Sequence, residues 1–333
     1  MADEQTVLSA SIDSFFIRCG LDPQARLDCH LFAEKLFPDK PINPAPTQGY
    51  CSYTVSVDDY IVQFRPPNYK LDLNVAFAAT IIFGTYAPST NYYGTVSPHG
   101  LLVYIMKRMP GISYKELTRQ APNLAAKVRR RLCEDLAIFL AKAWHQRAEI
   151  SLPLGIIGSS IKQRLEKLRD ELPPRFRSIV KHVTSQYSLI ETLPTVLAHG
   201  DIVPSNILLD PTDGRLFGLV DWAEAETLPF GICLYGLEEI LGHMTADNQF
   251  VYYADAEQAR AAFWERFRME VPLLEDEKTF EAVLLARDLG ILLWHGFAFD
   301  DGAINRVVQE GRDCQEICYL DTLLGRRTIE SSL

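Results

Sequence analysis

The sequence predicts an α+β fold in two parts, a small β-rich part over residues 1–110 and a larger helical part over residues 111–333. β-Patterned stretches precede the dipeptide Pro110-Gly111, a turn signal, and helical patterns dominate after it. With 333 residues, of which 47% are hydrophobic, the chain is long and apolar enough to bury a core. We therefore expect a folded globular protein with one short connection between its parts.

The first part is predicted to contain, in order, helices over residues 3–19 and 23–37, strands over 50–57 and 60–64, a helix over 71–83 and a strand over 101–106. The proline-rich loop PDKPINPAPTQG, closed by Gly49, excludes helix before the first strand. Asp58-Asp59 is typical of a hairpin turn, and the apolar run LLVYIM is typical of a buried strand. The stretch TYAPSTNYYGTVSPHG is predicted to be rich in turns.

The second part is predicted to be largely helical, with helices over residues 113–119, 127–147, 160–171, 255–268, 278–299 and 303–324. A hairpin interrupts this helical pattern: ILLD and RLFGLV are short apolar strands, and PTDG between them has the composition of a turn. The sequence contains no internal repeat and no low-complexity tract.

The charge pattern argues against a nucleic-acid partner. The net charge is −10, and basic residues are scattered except for the run Arg129-Arg130-Arg131, which the helical pattern places on a solvated helix face. Binding to a phosphate backbone needs a concentrated basic surface.

The seven cysteines have no zinc-type spacing, so we expect reduced thiols in a cytoplasmic protein. The N-terminal stretch MADEQTVLSASIDSFF fits neither a signal peptide nor a transit peptide. No run approaches 18 consecutive apolar residues, so we expect no membrane partner. The pattern leaves the oligomeric state open.

Three oxygen-bearing side chains are predicted to converge at the open end of the hairpin. Asn206 directly precedes the first strand, Asp221 directly follows the second, and Asp201 lies in the adjoining segment HGDIVPSN. Each residue alone could merely cap a turn or end a strand. Together they match a phosphoryl-transfer arrangement, in which one Asp orients the nucleophile while an Asn and a second Asp hold Mg²⁺.

His199 and Gly200, which begin the same segment, are predicted to be structural. A histidine at this position is expected to anchor the loop through hydrogen bonds to the backbone, and the glycine permits the turn.

HGDIVPSN followed by GLVDW resembles the catalytic and metal-binding motifs of the aminoglycoside phosphotransferase and choline-kinase-like family, within the protein-kinase-like superfamily. The resemblance extends from about Gly49 to Leu241, and the flanking segments DWAEAETLPFG and LYGLE are similar to those of fungal members. It implies a two-lobed protein-kinase-like fold that uses ATP. By position, it implies that Asp201 is the catalytic base and that Asn206 and Asp221 are the Mg²⁺ ligands.

The resemblance also implies a nucleotide-binding role for residues of the first part. The turn TQGYCSYTV, with Gly49 and Ser52, stands where the family covers the phosphates, although it has one glycine instead of GxGxxG and a plain turn is an alternative. Arg65 stands where protein kinases carry a lysine and could contact phosphate oxygens through its guanidinium. The partner acid would be Asp72, whose place in the first helical turn is explained equally well by the helix dipole.

LLVYIM followed by KRMPG matches the hinge of the family. Met106 would then lie near the gate of the adenine pocket, and the backbone around Lys107 to Met109 would contact the adenine edge.

Two absences favour a small-molecule hydroxyl acceptor over a protein substrate: Gly200 replaces the arginine of HRD, and no long activation segment follows Asp221. The family builds its acceptor pocket from helices and from the loop after the second metal ligand. The candidates there are Glu224, Glu226, Trp294, Asp300 and Asp301. Acids would suit an amine or a polyol, although the two later aspartates are equally typical of a helix N-cap and the tryptophan of a core.

The sequence therefore predicts an ATP- and Mg²⁺-dependent phosphotransferase that moves the γ-phosphoryl group to a hydroxyl of a small molecule such as an amine, a polyol or a secondary metabolite. Three alternatives stay open. They are a nucleotide-binding pseudokinase, suggested by the incomplete cation–acid pair, a protein kinase, and another ATP-dependent reaction such as nucleotidyl transfer.

Overall fold

The computed structural model describes residues 4–146, 152–300 and 303–325, which form two compact units. The first unit comprises the described residues through Phe77 together with Pro88–Met109, and the second comprises Ala78–Ala87 and the described residues from Pro110 onward. Gly111 begins the second unit with φ +88°, and a Cβ there would lie 2.4 Å from the carbonyl oxygen of Leu209. Only glycine fits this turn.

The first part of the chain forms α1 (Glu4–Arg18), α2 (Gln24–Leu36), β1 (Asn43–Pro44), β2 (Tyr53–Val57), β3 (Tyr60–Arg65), α3 (Leu73–Phe83), β4 (Thr90–Val96) and β5 (Leu101–Lys107). All of these belong to the first unit except the residues of α3 from Ala78 onward, which belong to the second. The five strands form one antiparallel sheet with strand order β1-β2-β3-β5-β4. Apolar side chains of β2, β3 and β5 share one core with α1 and α2. Within that core Val62 and Phe64 are both fully buried, as the two-residue period of a strand requires.

The strand β4 lies in the stretch predicted to be turns, so that prediction is wrong. Its tyrosines Tyr92 and Tyr93 are exposed, and a bulge before Gly94 breaks the ladder to β5. An edge strand with an exposed face lacks the apolar alternation that identifies a half-buried strand.

The second unit is mainly helical, and its elements are β6 (Ile112–Ser113), α4 (Tyr114–Gln120), α5 (Pro122–His145), α6 (Ile161–Glu171), α7 (Arg177–Ser185), α8 (Tyr187–Ile190), β7 (Thr195–Ala198), β8 (Ile207–Leu209), β9 (Leu216–Leu219), β10 (Glu226–Pro229), α9 (Tyr235–Leu241), β11 (Gly242–Met244), β12 (Phe250–Tyr252), α10 (Ala256–Glu270), α11 (Glu277–His295), β13 (Phe297–Asp300), β14 (Ala303–Val307) and α12 (Cys314–Gly325). The long helix α5 packs against α10. Pro122 occupies the first turn of α5, where its missing N–H has no cost.

The C-terminal helix predictions are wrong in part. α11 ends at His295, whereas the predicted helix continues to residue 299. The predicted last helix begins at residue 303, but residues 303–307 form strand β14, which pairs with β13. Phe297 and Ala298 are buried while Phe299 is exposed, a short apolar pattern that helix and strand share. The sequence also did not predict α7 and α8. Among the described helices, none is both long and apolar enough to cross a membrane.

A buried ion pair anchors α9 to α10. Arg260 donates from Nε and Nη2 to the two carboxylate oxygens of Glu238 at 2.9 and 2.7 Å, and both side chains are buried. The hydroxyl of Tyr252 donates to the same carboxylate at 2.8 Å. A paired and hydrogen-bonded charge is tolerated inside a protein, whereas a lone buried charge is not.

We expect Arg260→Met to lower the free energy of unfolding by about 3–5 kcal/mol, because it leaves the Glu238 carboxylate buried without its cation. The matched control is Arg130→Met, since Arg130 makes a 3.0 Å ion pair with Glu134 from a side chain that is 69% exposed. Its loss should cost at most about 1 kcal/mol. Urea unfolding followed by circular dichroism measures both, and equal losses would contradict the analysis.

Candidate active site

The site is built around the antiparallel hairpin of β8 and β9. The register pairs Ile207 with Leu219, which confirms the hairpin predicted from the sequence. One further bond extends it, because the backbone N–H of Val220 donates to the carbonyl of Asn206 at 2.9 Å. Asn206 and Asp221 therefore lie at the same open end of the hairpin.

Asn206 also holds Asp201. Its side-chain amide donates to Oδ2 of Asp201 at 2.7 Å and to the carbonyl of Asp201 at 3.1 Å. Its own N–H donates to the carbonyl of Val203 at 2.9 Å, which closes the loop between the two residues. The three oxygen-bearing side chains predicted to converge thus lie together at the end of the hairpin.

Two oxygen groups at this end fit a cation. The Asn206 amide nitrogen is committed to Asp201, and among the described residues neither Asn206 Oδ1 nor the Asp221 carboxylate accepts a hydrogen bond. Asp221 has left-handed backbone angles, φ 63° and ψ 68°, which are unfavourable for a residue with a side chain and cluster at functional sites. Mg²⁺ commonly takes one or two protein oxygens and completes its shell with water and phosphate.

Within the described chain, no group of three or more His, Cys, Asp or Glu side chains could hold a metal ion by itself. The two oxygen groups fit Mg²⁺, which commonly takes one or two protein oxygens and completes its shell with water and phosphate.

Several carboxylates are crowded together at the site. Burial and the neighbouring charge of Asp221 raise the pKa of Asp201 to about 7, and the hydrogen bond from Asn206 opposes this rise. The carboxylates of Glu224 and Glu239 raise the pKa further. Crowded carboxylates repel one another, so a bound cation would stabilise this arrangement.

His199 and Gly200 shape the turn before Asp201, as predicted. The His199 ring accepts at Nδ1 from the N–H of Asp201 at 3.2 Å, so Nε2 carries the proton and donates to the carbonyl of Val220 at 3.0 Å. Burial lowers the pKa of His199 to about 4, which keeps the ring neutral. Gly200 has φ +80°, and a Cβ there would lie 2.1 Å from the carbonyl oxygen of Glu224.

Tyr235 is a site residue that the sequence did not reveal. Its hydroxyl donates to the carbonyl of Gly200 at 3.0 Å and accepts from the N–H of Ile202 at 3.2 Å. In the sequence it is one aromatic residue within the apolar stretch GICLYGLEE, so nothing distinguishes it from a core side chain. Trp294 of α11 stacks on its ring at a centroid distance of 5.0 Å and an angle of 13°.

The proposed acceptor residues have different surroundings. Glu224 is exposed in the short turn after Asp221. Glu226 is buried in β10, where its two oxygens accept from the N–H groups of Ile157 and Gly158 at 2.9 and 2.7 Å. Its carboxylate therefore holds the backbone at Ile157 and Gly158 in place.

The predicted alternative for Asp300, a helix N-cap, is wrong. Asp300 ends β13 and accepts hydrogen bonds from Arg306 at both oxygens, the longer at 3.2 Å. Arg312 lies 3.7 Å from the same carboxylate. The charge of Asp300 is thus compensated locally. Asp301 lies outside the described residues.

In the first unit, the turn proposed to cover phosphates is the loop between β1 and β2. Gln48 braces it, accepting from the N–H of Thr54 and donating to the carbonyls of Ala45 and Thr54, each at 2.9 Å. Gly49 is exposed in this loop, and the buried Ser52 hydroxyl lies 3.1 Å from that of Thr54.

Arg65 at the end of β3 is only 4% exposed, and its Nε has no hydrogen-bond partner. Its one hydrogen bond is a 3.4 Å contact from Nη1 to Gln63, and no carboxylate of the described residues pairs with it. Asp72 instead caps α3, accepting from the N–H groups of Asn74 and Val75 at 2.8 and 3.4 Å. Arg65 is therefore a buried cation without a carboxylate partner among the described residues, which fits a phosphate group.

Two N–H groups of the predicted hinge are hydrogen-bonded within the first unit. That of Lys107 donates to the carbonyl of Ser89 at 3.2 Å, and that of Arg108 donates to the carbonyl of Asp59 at 2.7 Å. Contact of the other backbone groups of this segment with an adenine edge stays a prediction. Met106 pairs with Ile61 within the sheet, and Met109 is the last residue of the first unit.

Comparison with known proteins identifies the family. The profile of the phosphotransferase enzyme family matches residues 53–264, more than half of the chain. A search of curated proteins gave no match.

Among solved structures, the GDP complex of a mutant aminoglycoside 2'-phosphotransferase IIIa has a TM-score of 0.53 at 16% identity, with 92% of this chain and 97% of that chain covered. The ethanolamine kinase of Plasmodium vivax has a TM-score of 0.55 at 12% identity, covering 91% and 87%. The aminoglycoside phosphotransferase APH(4)-Ia has a TM-score of 0.52 at 18% identity, covering 80% and 90%. These similarities confirm the predicted kinase-like α+β fold, and with the profile match they show that the chain belongs to the phosphotransferase enzyme family.

Proposed function

We propose that the protein transfers the γ-phosphoryl group of ATP to a hydroxyl of a small, positively charged molecule in an Mg²⁺-dependent reaction. The observation that carries the proposal is the arrangement of Asp201, Asn206 and Asp221 at the end of one hairpin. It supplies one oriented carboxylate for the nucleophile and two oxygen groups for a cation, which are the protein groups that phosphoryl transfer needs.

Asp201 is proposed as the catalytic base. Asn206 holds Oδ2 at 2.7 Å, so the orientation of the carboxylate is set before an acceptor arrives. Among the described residues Oδ1 accepts no hydrogen bond. It would accept the hydrogen of the acceptor hydroxyl and take its proton as the oxygen attacks phosphorus.

Asn206 Oδ1 and the Asp221 carboxylate are proposed to hold Mg²⁺. When bound, the ion would neutralise charge on the phosphate oxygens. For the first unit, Arg65, a buried cation for which the described residues supply no carboxylate, is proposed as a contact for phosphate oxygens.

A cationic acceptor is supported by the carboxylates that act on Asp201 besides the proposed Mg²⁺ ligand Asp221, namely Glu224 and Glu239. Their combined field favours an ammonium group over a neutral or anionic molecule. The names of the ethanolamine kinase and of the aminoglycoside phosphotransferases also refer to amine-bearing alcohols. Amino alcohols and aminoglycosides are therefore the first acceptors to test.

One observation favours a second candidate, a pseudokinase that binds nucleotide without turnover. Arg65 has no acid partner among the described residues. Asp72, the predicted partner, caps α3 instead. Such a protein would bind Mg²⁺–ATP but release no ADP with any acceptor.

We expect Asp201→Asn to lower kcat by about 10²–10⁴-fold while the dissociation constant of Mg²⁺–ATP stays near that of the wild type, because the variant loses the base and keeps the cation ligands. ADP release with ATP or GTP over a panel of amino alcohols and aminoglycosides measures this. Asp210→Asn is the matched control, since Asp210 lies at the other end of the same hairpin and its side-chain bonds to described residues stay within its turn and Arg215. Normal turnover by Asp201→Asn would show that Asp201 is not the base.

We expect Asp221→Ala to weaken ATP binding in the presence of Mg²⁺ by at least about tenfold and to leave binding without Mg²⁺ unchanged, because it removes a metal oxygen. Calorimetric titrations with and without Mg²⁺ measure the difference. Asp213→Ala in the hairpin turn is the control, because Asp213 only accepts from the N–H of Arg215 at 2.9 Å. A variant at Asp221 that keeps the full Mg²⁺ effect would exclude this metal site.

A further inference from the structure

The hydroxyl of Tyr235 bonds to the backbone on both sides of Asp201. It donates to the carbonyl of Gly200 at 3.0 Å and accepts the N–H of Ile202 at 3.2 Å. One side chain thus holds the residue before and the residue after the proposed base. No other described side chain bonds to both of these backbone groups.

Those backbone groups depend on Tyr235. Ile202 is fully buried, so its N–H has no access to water, and a buried N–H without a partner is strongly unfavourable. Residues 200–206 form neither helix nor strand, so the loop has no ladder of its own to set its shape. Side-chain hydrogen bonds from His199, Asn206 and Tyr235 take that place.

Tyr235 is itself held rigidly. It is the first residue of α9, and α9 packs tightly on the loop, since a Cβ on Gly236 would lie 2.3 Å from the side chain of Ile202. Trp294 of α11 stacks on the Tyr235 ring at 5.0 Å, nearly parallel. The ion pair of Glu238 with Arg260 anchors the same short helix to α10.

We infer that Tyr235 is a positioning residue for phosphoryl transfer, which holds the Asp201 carboxylate at the acceptor hydroxyl, and that Trp294 acts through it by fixing the plane of its ring. The inference rests on the proposed function. Trp294 was a candidate acceptor contact in the sequence, and its stacking on Tyr235 gives it this indirect role. Asn206 and Asp221 are also held by the hairpin. A substitution of Tyr235 should therefore disturb these proposed Mg²⁺ ligands less than it disturbs Asp201.

The test compares Tyr235→Phe with Tyr114→Phe. Tyr114 is an equally buried tyrosine of the same unit whose hydroxyl also donates one bond, to the carbonyl of Ile240 at 3.1 Å, and accepts one, from Arg129 Nε at 2.7 Å. Both changes remove one buried hydroxyl, but only the first touches the Asp201 loop. The full-length protein is used, with kcat and KM for an amino-alcohol acceptor, the calorimetric dissociation constant of Mg²⁺–ATP, and amide hydrogen exchange of residues 197–206.

We expect Tyr235→Phe to lower kcat by about 10- to 100-fold, to leave the nucleotide dissociation constant near that of the wild type, and to speed exchange in residues 197–206. Tyr114→Phe should change neither kcat nor that exchange. A loss of kcat in both variants alike, or an unchanged kcat in Tyr235→Phe, would overturn the inference.

Trp294 supplies a second, independent pair of variants. Trp294→Ala should lower kcat, and Trp294→Phe should keep most of the wild-type kcat because it keeps a stacked ring. In the Tyr235→Phe background, Trp294→Ala should lower kcat little further, because Trp294 and Tyr235 act as one unit. Fully additive losses would overturn the role given to Trp294.

Hydrogen exchange separates this inference from the proposed function. If the wild-type protein phosphorylates no acceptor, the proposed function fails, and exchange alone decides whether Tyr235 holds the loop. Faster exchange in residues 197–206 for Tyr235→Phe only would support the positioning contact. Equal exchange in wild type and variant would overturn it.

Discussion

The side-chain amide of Asn206 is the group on which the rest of the site depends. Its nitrogen fixes the Asp201 carboxylate at 2.7 Å, and its oxygen accepts no hydrogen bond from the described residues at the end of the hairpin where Asp221 also lies. An aspartate at this position could offer oxygens but no donor, and it would add another negative charge to an already crowded group of carboxylates. The carboxamide thus couples the proposed base to the proposed cation site without adding charge.

The loop around Asp201 shows how an irregular segment can be made rigid. Its neighbours supply hydrogen bonds that a helix or strand would otherwise provide: His199 from the preceding turn, Asn206 from the hairpin and Tyr235 from α9. Each partner comes from a different element, so the loop is defined only when those elements are packed. The arrangement also keeps carboxylates close together, at an electrostatic cost that a bound cation and a cationic acceptor would offset.

Local pairing made much of the site predictable. Asn206 and Asp221 flank two strands joined by a short turn, so their convergence follows from the hairpin alone. Tyr235 could not be found in this way, because its contact with Gly200 spans 35 residues and depends on how α9 packs. The same limit applies to Lys107. Its N–H donates to the carbonyl of Ser89, directly before strand β4, and the sequence pattern did not predict that strand. Short apolar runs also misled the C-terminal assignment, where β13 and β14 replace helix.

The most direct test of the account is ³¹P NMR of the wild-type protein with Mg²⁺–ATP and a pool of amino alcohols and aminoglycosides. The account predicts that a new phosphomonoester signal, coupled to protons on the acceptor carbon, appears in step with ADP. If the nucleotide stays intact over the whole pool, or if AMP and pyrophosphate form instead, the assignment of this site to phosphoryl transfer onto a small-molecule hydroxyl would be wrong.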